Sequence, residues 1–174
     1  KDILYMNILD CITYFDEETL LEIRLNILNQ YVTKFIITEG AYDHRGKKRD
    51  LNFDINKYSE FKDKIIYLPV NNFPNLNDPW NMLEYQRNYS MKEIEKFDDE
   101  TYVIVSDVDE IPNPKKIKEF VKTKHKYGVF EQLFFYYKLN YLNNTTNHWH
   151  GSKICKKKDL TSPNLLRETK AKQY

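Results

Sequence analysis

The stretch YVIVSDVDEIPNP at positions 102–114 decides how the rest of the chain is read. Four strand-like residues, Tyr102-Val103-Ile104-Val105, run straight into Ser106-Asp107-Val108-Asp109-Glu110. An apolar strand that ends in three acids within four positions is costly unless positive charge gathers there. A bend at the strand's end lets Asp107 and Asp109 reach one ion, and hard oxygen ligands select Mg²⁺ or Mn²⁺ over zinc while leaving positions for phosphate oxygens. The loop beyond a strand's carboxyl end is also where an open α/β sheet binds its ligand. The stretch therefore predicts a divalent-metal and diphosphate site. The plain alternative is a solvated acidic turn that caps the helix opened by Asn113-Pro114, and a bare Asp-x-Asp is too short to decide between them. The buried-type strand before it and the Pro-led helix after it favour the site.

Working outward, strands and helices alternate. Residues 2–9 and 32–38 read as strands, separated by a helix over 19–31 with Asp16 as its cap and Glu17 and Glu18 at its positive end. A short helix over 56–61 precedes a strand over 64–70. Asp78-Pro79 pairs a cap with proline at the first helical position and opens a helix running to Lys96. Beyond the acidic turn a helix covers 115–123. The aromatic run YGVFEQLFFYYKLNY at 127–141 reads as one bent strand or two, 151–156 as another strand, and 157–174 shows no clear pattern. This alternation predicts an α/β fold with a mostly parallel sheet and places the acidic turn on an interior strand.

The chain of 174 residues carries 27 Lys plus Arg against 26 Asp plus Glu, a formal net charge of +1. That length suits one domain with one core, and that balance leaves no basic footprint for nucleic acid or an anionic membrane. Aromatics at 15% argue against disorder. No apolar run approaches the roughly 20 residues that span a bilayer. Cys11 and Cys155 follow no metal spacing; they read as buried thiols of a reducing compartment, with one disulfide as the alternative. No signal-peptide pattern opens the chain, so the expected location is cytoplasmic, or the Golgi lumen if an anchor was removed.

Several blocks, taken in order, resemble glycosyltransferase family 17, which includes the β-1,4-mannosyl-glycoprotein β-1,4-N-acetylglucosaminyltransferases. They are LLEIRLN at 20–26, the strand at 35–39, Gly46-Lys47, Gln86-Arg87-Asn88 and above all SDVDEIP at 106–112. FFYYKLN at 134–140 and Trp149-x-Gly151 continue the likeness more weakly. The resemblance implies a GT-A-like, Rossmann-like fold: a central sheet flanked by helices, forming one nucleotide-sugar transferase domain over 1–174. It also implies that C-terminal family sequence, with the usual third metal ligand, is lacking. The implied reaction moves a sugar from a UDP-sugar, UDP-GlcNAc most obviously, to a glycan or other hydroxyl acceptor, with inversion and with Mn²⁺ or Mg²⁺. Asp109 then becomes the more direct metal ligand, and Asp107 contacts the donor ribose or a metal-bound water.

Other residues carry a sharp and a bland reading. Glu39, at the carboxyl end of a buried-type strand, either bonds the donor's uracil or ribose or caps a loop. Arg87 and Asn88, on the helix before the acidic strand, reach a nucleotide or the acidic turn; otherwise Arg87 is a surface salt bridge of little worth. In the basic loop Arg45, Lys47, Lys48 and Arg49, only Lys47 is singled out as a diphosphate contact against a solvated charge run. Arg24 and Glu22 look structural, because a helix body lies away from the strand ends. Inversion needs a general base, for which Glu110 and Glu131 are the candidates; Glu131 is equally an edge carboxylate facing water. Trp149, flanked by His148 and His150, reads as an acceptor-sugar contact or as a loop anchor.

Two further functions compete. A phosphatase of the haloacid-dehalogenase type also follows an apolar strand with Asp-x-Asp, using the first Asp as nucleophile. That motif normally sits on the first strand, whereas here it follows residue 100. A non-catalytic nucleotide-sugar-binding domain is the other. UDP binding, its metal dependence and aryl-phosphate hydrolysis separate the three.

Overall fold

The computed structural model describes residues 6–135, 141–145 and 148–170. Along the chain run β1 (Ile8–Tyr14), α1 (Glu18–Leu28), β2 (Lys34–Gly40), β3 (Ile65–Val70), α2 (Pro79–Asn88), α3 (Met91–Ile94), β4 (Tyr102–Asp107), α4 (Pro114–Phe120), β5 (Tyr127–Val129), β6 (Gln132–Leu133), β7 (His148–Trp149), β8 (Lys153–Lys156) and α5 (Pro163–Arg167), with a 3₁₀ segment at Ile55–Lys64 before β3. The main sheet has the order β3-β2-β1-β4-β8-β5. β1 to β4 are parallel, and β8 pairs antiparallel with β4 and β5. β6 and β7 form a separate antiparallel pair.

Alternation along the strands builds a core on each face of the sheet. On one, Ile8, Ile12, Phe35, Ile37 and Ile104 meet Leu21, Leu25 and Leu28 of α1 and Ile117 of α4. On the other, Leu9, Cys11, Ile36, Val103 and Val105 meet Ile94 of α3 and Leu166 of α5. The chain steps from β1 to β2 to β3 in one direction, then returns to lay β4 on the far side of β1. Right-handed crossovers put the helices on opposite faces when the direction reverses, and the reversal leaves a crevice between the carboxyl ends of β1 and β4. Thr13 and Asp107 are register partners there. The mostly parallel sheet and the interior position of the acidic strand are as expected.

Several boundaries differ from expectation for identifiable reasons. The first strand lies at Ile8–Tyr14 rather than 2–9. As a central parallel strand buried on both faces it reads ILDCITY, without alternation, and its one acid, Asp10, is neutralised by Arg24. Asp16 does not cap α1: Glu17 holds the cap position, and its carboxylate accepts from the amides of Phe15 and Asp16. The expected helix from Pro79 to Lys96 divides at Tyr89 and Ser90, where the Ser90 hydroxyl donates to the Arg87 carbonyl. The aromatic run becomes β5 and β6, and its residues 136–140 lie outside the described ones. The patternless tail contains α5, capped by Ser162 ahead of Pro163, the same signal that opens α2 and α4.

Cys11 and Cys155 are both free and buried, with β4 between their strands. Burial pushes the Cys155 thiol up to about 12 and the Cys11 thiol well above its usual value. Among the described residues no helix is long and apolar enough to cross a membrane.

Candidate active site

The acidic turn is held from beneath by Arg24 of α1. Its side chain and that of Asp10 are fully buried. Nε and Nη2 donate to the two Asp10 oxygens at 2.7 Å each, and Nη2 donates to Ser106 Oγ at 2.6 Å. Nη1 donates to the carbonyls of Asp107, Val108 and Glu110 at 3.1, 3.2 and 3.0 Å. A guanidinium presents its donors in a rigid fork, so one side chain fixes three carbonyls of the turn. Buried Val108 pins the turn between Asp107 and exposed Asp109.

Asp107 points to the opposite face of the sheet from Asp10. Arg87 Nη2 donates to its two oxygens at 2.9 and 3.2 Å, Arg167 Nη2 reaches Oδ2 at 3.4 Å, and the Thr13 hydroxyl donates to Oδ1 at 3.2 Å. Burial pushes this carboxyl up, but the Arg87 charge and hydrogen bonds, helped by Arg167 and Thr13, outweigh it and leave the group below its usual range. Asp109 is different: it is exposed, and among the described residues no hydrogen bond or ion pair reaches its carboxylate.

Glu110 is buried behind the turn. Oε2 accepts from the Asp107 amide at 2.8 Å. Oε1 accepts from the Trp149 indole at 2.6 Å and from Arg167. Burial and the adjacent Asp107 charge push its carboxyl up; Arg167, the Asp107 amide and the indole offset this only in part.

Two clefts meet at Asp107. One, of about 320 Å³, sits over the β1–β4 crevice and is lined by Thr13, Phe15, His44, Phe73, Asp107 and Asp109. The other, of about 740 Å³, is lined by Trp80, Arg87, Asp107, Trp149, Lys153 and Arg167. The Lys153 amine is buried and donates to the carbonyls of His150 and Gly151. Burial, then the nearby Arg167 charge, brings it down to about 8.

The structure gathers Arg87, Asp107, Asp109 and Trp149 around these clefts and sets other expected residues elsewhere. Glu39 is fully buried; its oxygens take the amides of Asn52 and Phe53, the Tyr67 hydroxyl and Arg49, so its carboxylate holds the 49–53 segment and lines neither cleft. Asn88 caps the start of α5 through its bond from the Asn164 amide at 2.9 Å. Lys47 lies exposed on a hairpin organised by Asp43, outside both cleft linings. Glu131 is exposed, contacts His148 Nδ1 at 2.6 Å and His150 Nε2 at 3.8 Å, and borders a separate groove by α4. Glu110 lines neither cleft, although Trp149 and Arg167, which it holds, line the second.

Arg167, Thr13 and Lys153 went unnoticed in the sequence. Ser162-Pro163 is the signal that could have revealed the helix carrying Arg167; Thr13 and Lys153 offer none, since only the register puts one beside Asp107 and the other in the wall of the larger cleft. Arg24, read as structural, is so, but what it shapes is the acidic turn itself.

Among the described residues no three His, Cys, Asp or Glu side chains converge as a metal cage. A hard divalent ion held by one carboxylate together with phosphate oxygens and water needs no such cage, and the unpartnered carboxylate of Asp109 fits that demand. Compared with known families, residues 4–162 match the one described as glycosyltransferase family 17. No curated protein matches the chain. α5, with Arg167, lies just beyond the matched residues.

Proposed function

Because the chain belongs to glycosyltransferase family 17, we propose that it transfers a sugar, GlcNAc in the first instance, from a UDP-sugar to a hydroxyl of a glycan, with inversion and with Mn²⁺ or Mg²⁺ bound at Asp109. The observation that carries this reading is the contrast within the Asp-x-Asp turn. Asp107 is locked by Arg87, Arg167 and Thr13, whereas Asp109 stands free at the mouth of the crevice. A cation bound there would neutralise charge growing on the departing diphosphate.

The chain's own residues supply the rest. The smaller cleft suits the nucleotide: the Phe15 and His44 rings lie near parallel at 6.2 Å, and the Arg49 guanidinium stands 4.0 Å over Phe15, making an aromatic wall beside Asp107. Arg87 orients Asp107 and brings positive charge to the edge where the diphosphate would sit. Trp149, stacked on Phe134 with ring centroids 5.2 Å apart, offers an aromatic surface to the acceptor in the larger cleft. A phosphatase using Asp107 as nucleophile fits poorly, because that carboxylate is tied on both oxygens.

Calorimetric titration with UDP, with and without Mn²⁺, tests the reading. Binding should tighten with Mn²⁺ in the wild type and lose that dependence in Asp109→Ala. UDP binding indifferent to both would overturn the metal assignment. A thermal-shift screen across UDP-, GDP- and CMP-sugars tests the nucleotide, since only a ligand that binds the folded state raises the midpoint.

A further inference from the structure

Glu110 adjoins the acid pair, yet it lines neither of the two clefts that meet at Asp107. It joins three elements instead: Oε1 binds the Trp149 indole of β7 and Arg167 of α5, and Oε2 binds the amide of Asp107 at the end of β4. The two side chains it holds both line the larger cleft. Its own backbone is fixed as well, with its carbonyl accepting from Arg24 at 3.0 Å and from the Ser152 hydroxyl at 2.6 Å. Gly151 leaves the space it fills: a Cβ there would stand 2.6 Å from the Glu110 carboxyl carbon, a separation that real Cβ atoms do not tolerate.

We propose that Glu110 is a positioning residue, which sets Trp149 and Arg167 as two walls of the larger cleft and ties them to the Asp107 backbone, rather than the group that takes the acceptor's proton. Its assignment to the acceptor side rests on the transferase reading; the clamp itself does not. Arg167 is central to the clamp. Its Nη2 stands between the Asp107 and Glu110 carboxylates and supplies the charge that lets two acids share one corner. Trp149 uses its only polar atom on Glu110 and so presents its ring, not its N–H, to the cleft.

Glu110→Gln tests this sharply, because a glutamine has one acceptor oxygen and a donor nitrogen where three donors now converge. The chain has two tryptophans, so in a Trp80→Phe background emission reports on Trp149 alone. Glu110→Gln and Glu110→Ala should shift that emission to the red and raise its quenching by acrylamide. UDP affinity by calorimetry should change less than the KM for the acceptor. The KM for an aryl β-mannoside probe should rise about tenfold with little change in kcat, a larger change than any in the release of UDP from UDP-GlcNAc with water as acceptor. Trp149→Phe, which keeps the ring and deletes the N–H, should reproduce the KM effect, and Gly151→Ala should reproduce the emission change by displacing the carboxylate. Unchanged Trp149 emission in Glu110→Gln overturns the proposal, as does loss of UDP release in Glu110→Gln but not in Trp149→Phe, the mark of a proton acceptor. If the wild type releases no UDP from any donor, the transferase reading fails and emission alone decides on the clamp.

Discussion

Two arginine–carboxylate centres lie back to back across the same sheet, and they are built to opposite specifications. On the α1 face, Arg24 and Asp10 are both wholly buried, and every polar group around them is matched: two carboxylate oxygens, one hydroxyl and three carbonyls. On the α2–α5 face, Arg87 and Arg167 share Asp107, whose side chain keeps 35% of its exposure, and the Nε atoms of both arginines are buried without a partner among the described residues. A closed network of this kind rigidifies what it touches, and an incomplete one in a cleft wall marks where ligand chemistry is expected. The sealed centre shapes the turn; the open centre faces the clefts.

The largest effect should come from breaking the sealed side. Arg24→Met leaves Asp10 charged, buried and alone, and should cost about 3–5 kcal/mol in urea denaturation, with UDP binding lost alongside the fold. Arg87→Met should separate the two quantities: a loss of about 1–2 kcal/mol in stability, because Arg167 still faces Asp107, against a fall of about tenfold in UDP affinity. Equal stability losses for Arg24→Met and Arg87→Met would break the comparison. Asp109→Ala should leave stability within about 0.5 kcal/mol of wild type, as for an exposed residue without partners, while erasing the Mn²⁺ effect on UDP binding.

A pH-dependent effect concerns Lys153, in the wall of the larger cleft. Burial lowers its amine to about 8 in the folded protein, below the unfolded value of about 10.4. Between those values the unfolded chain binds the extra proton, so this residue makes stability rise with pH across that window and adds no slope below it. The difference in stability between wild type and Lys153→Met should therefore change across about pH 8–10 and be flat at pH 6–7. A flat difference throughout would show that the amine is solvated.

Much of the fold was legible because its signals are local. The Asp78-Pro79 and Asn113-Pro114 caps gave helix starts that the structure keeps, and the apolar run into Asp107 gave the interior strand. β1 was misplaced because burial on both faces removes the alternation by which a strand is recognised. At the site, Asp107, Arg87 and Trp149 were singled out and stand around the clefts, while Glu39, Asn88, Lys47 and Glu131 were singled out and stand apart from them. Nothing local distinguishes these groups. Glu39 lies near the carboxyl end of its strand much as Asp107 does, but the 49–53 segment folds over Glu39 and satisfies it, whereas two clefts open at Asp107.

The sequence by itself determined the alternation of strands and helices, the acid pair at the end of an interior strand and, through ordered blocks, the family. Each is written in neighbouring residues, where cap chemistry, periodicity and spacing act over a few positions. The tertiary structure alone decided which charges are sealed and which are open. Asp10 meets Arg24 across 14 positions, Asp107 meets Arg87 across 20 and Glu110 meets Arg167 across 57. Whether a carboxylate is a strut or a working group depends on what is packed around it, and that follows from the register of β1, β4 and β8 and from where α5 comes to rest.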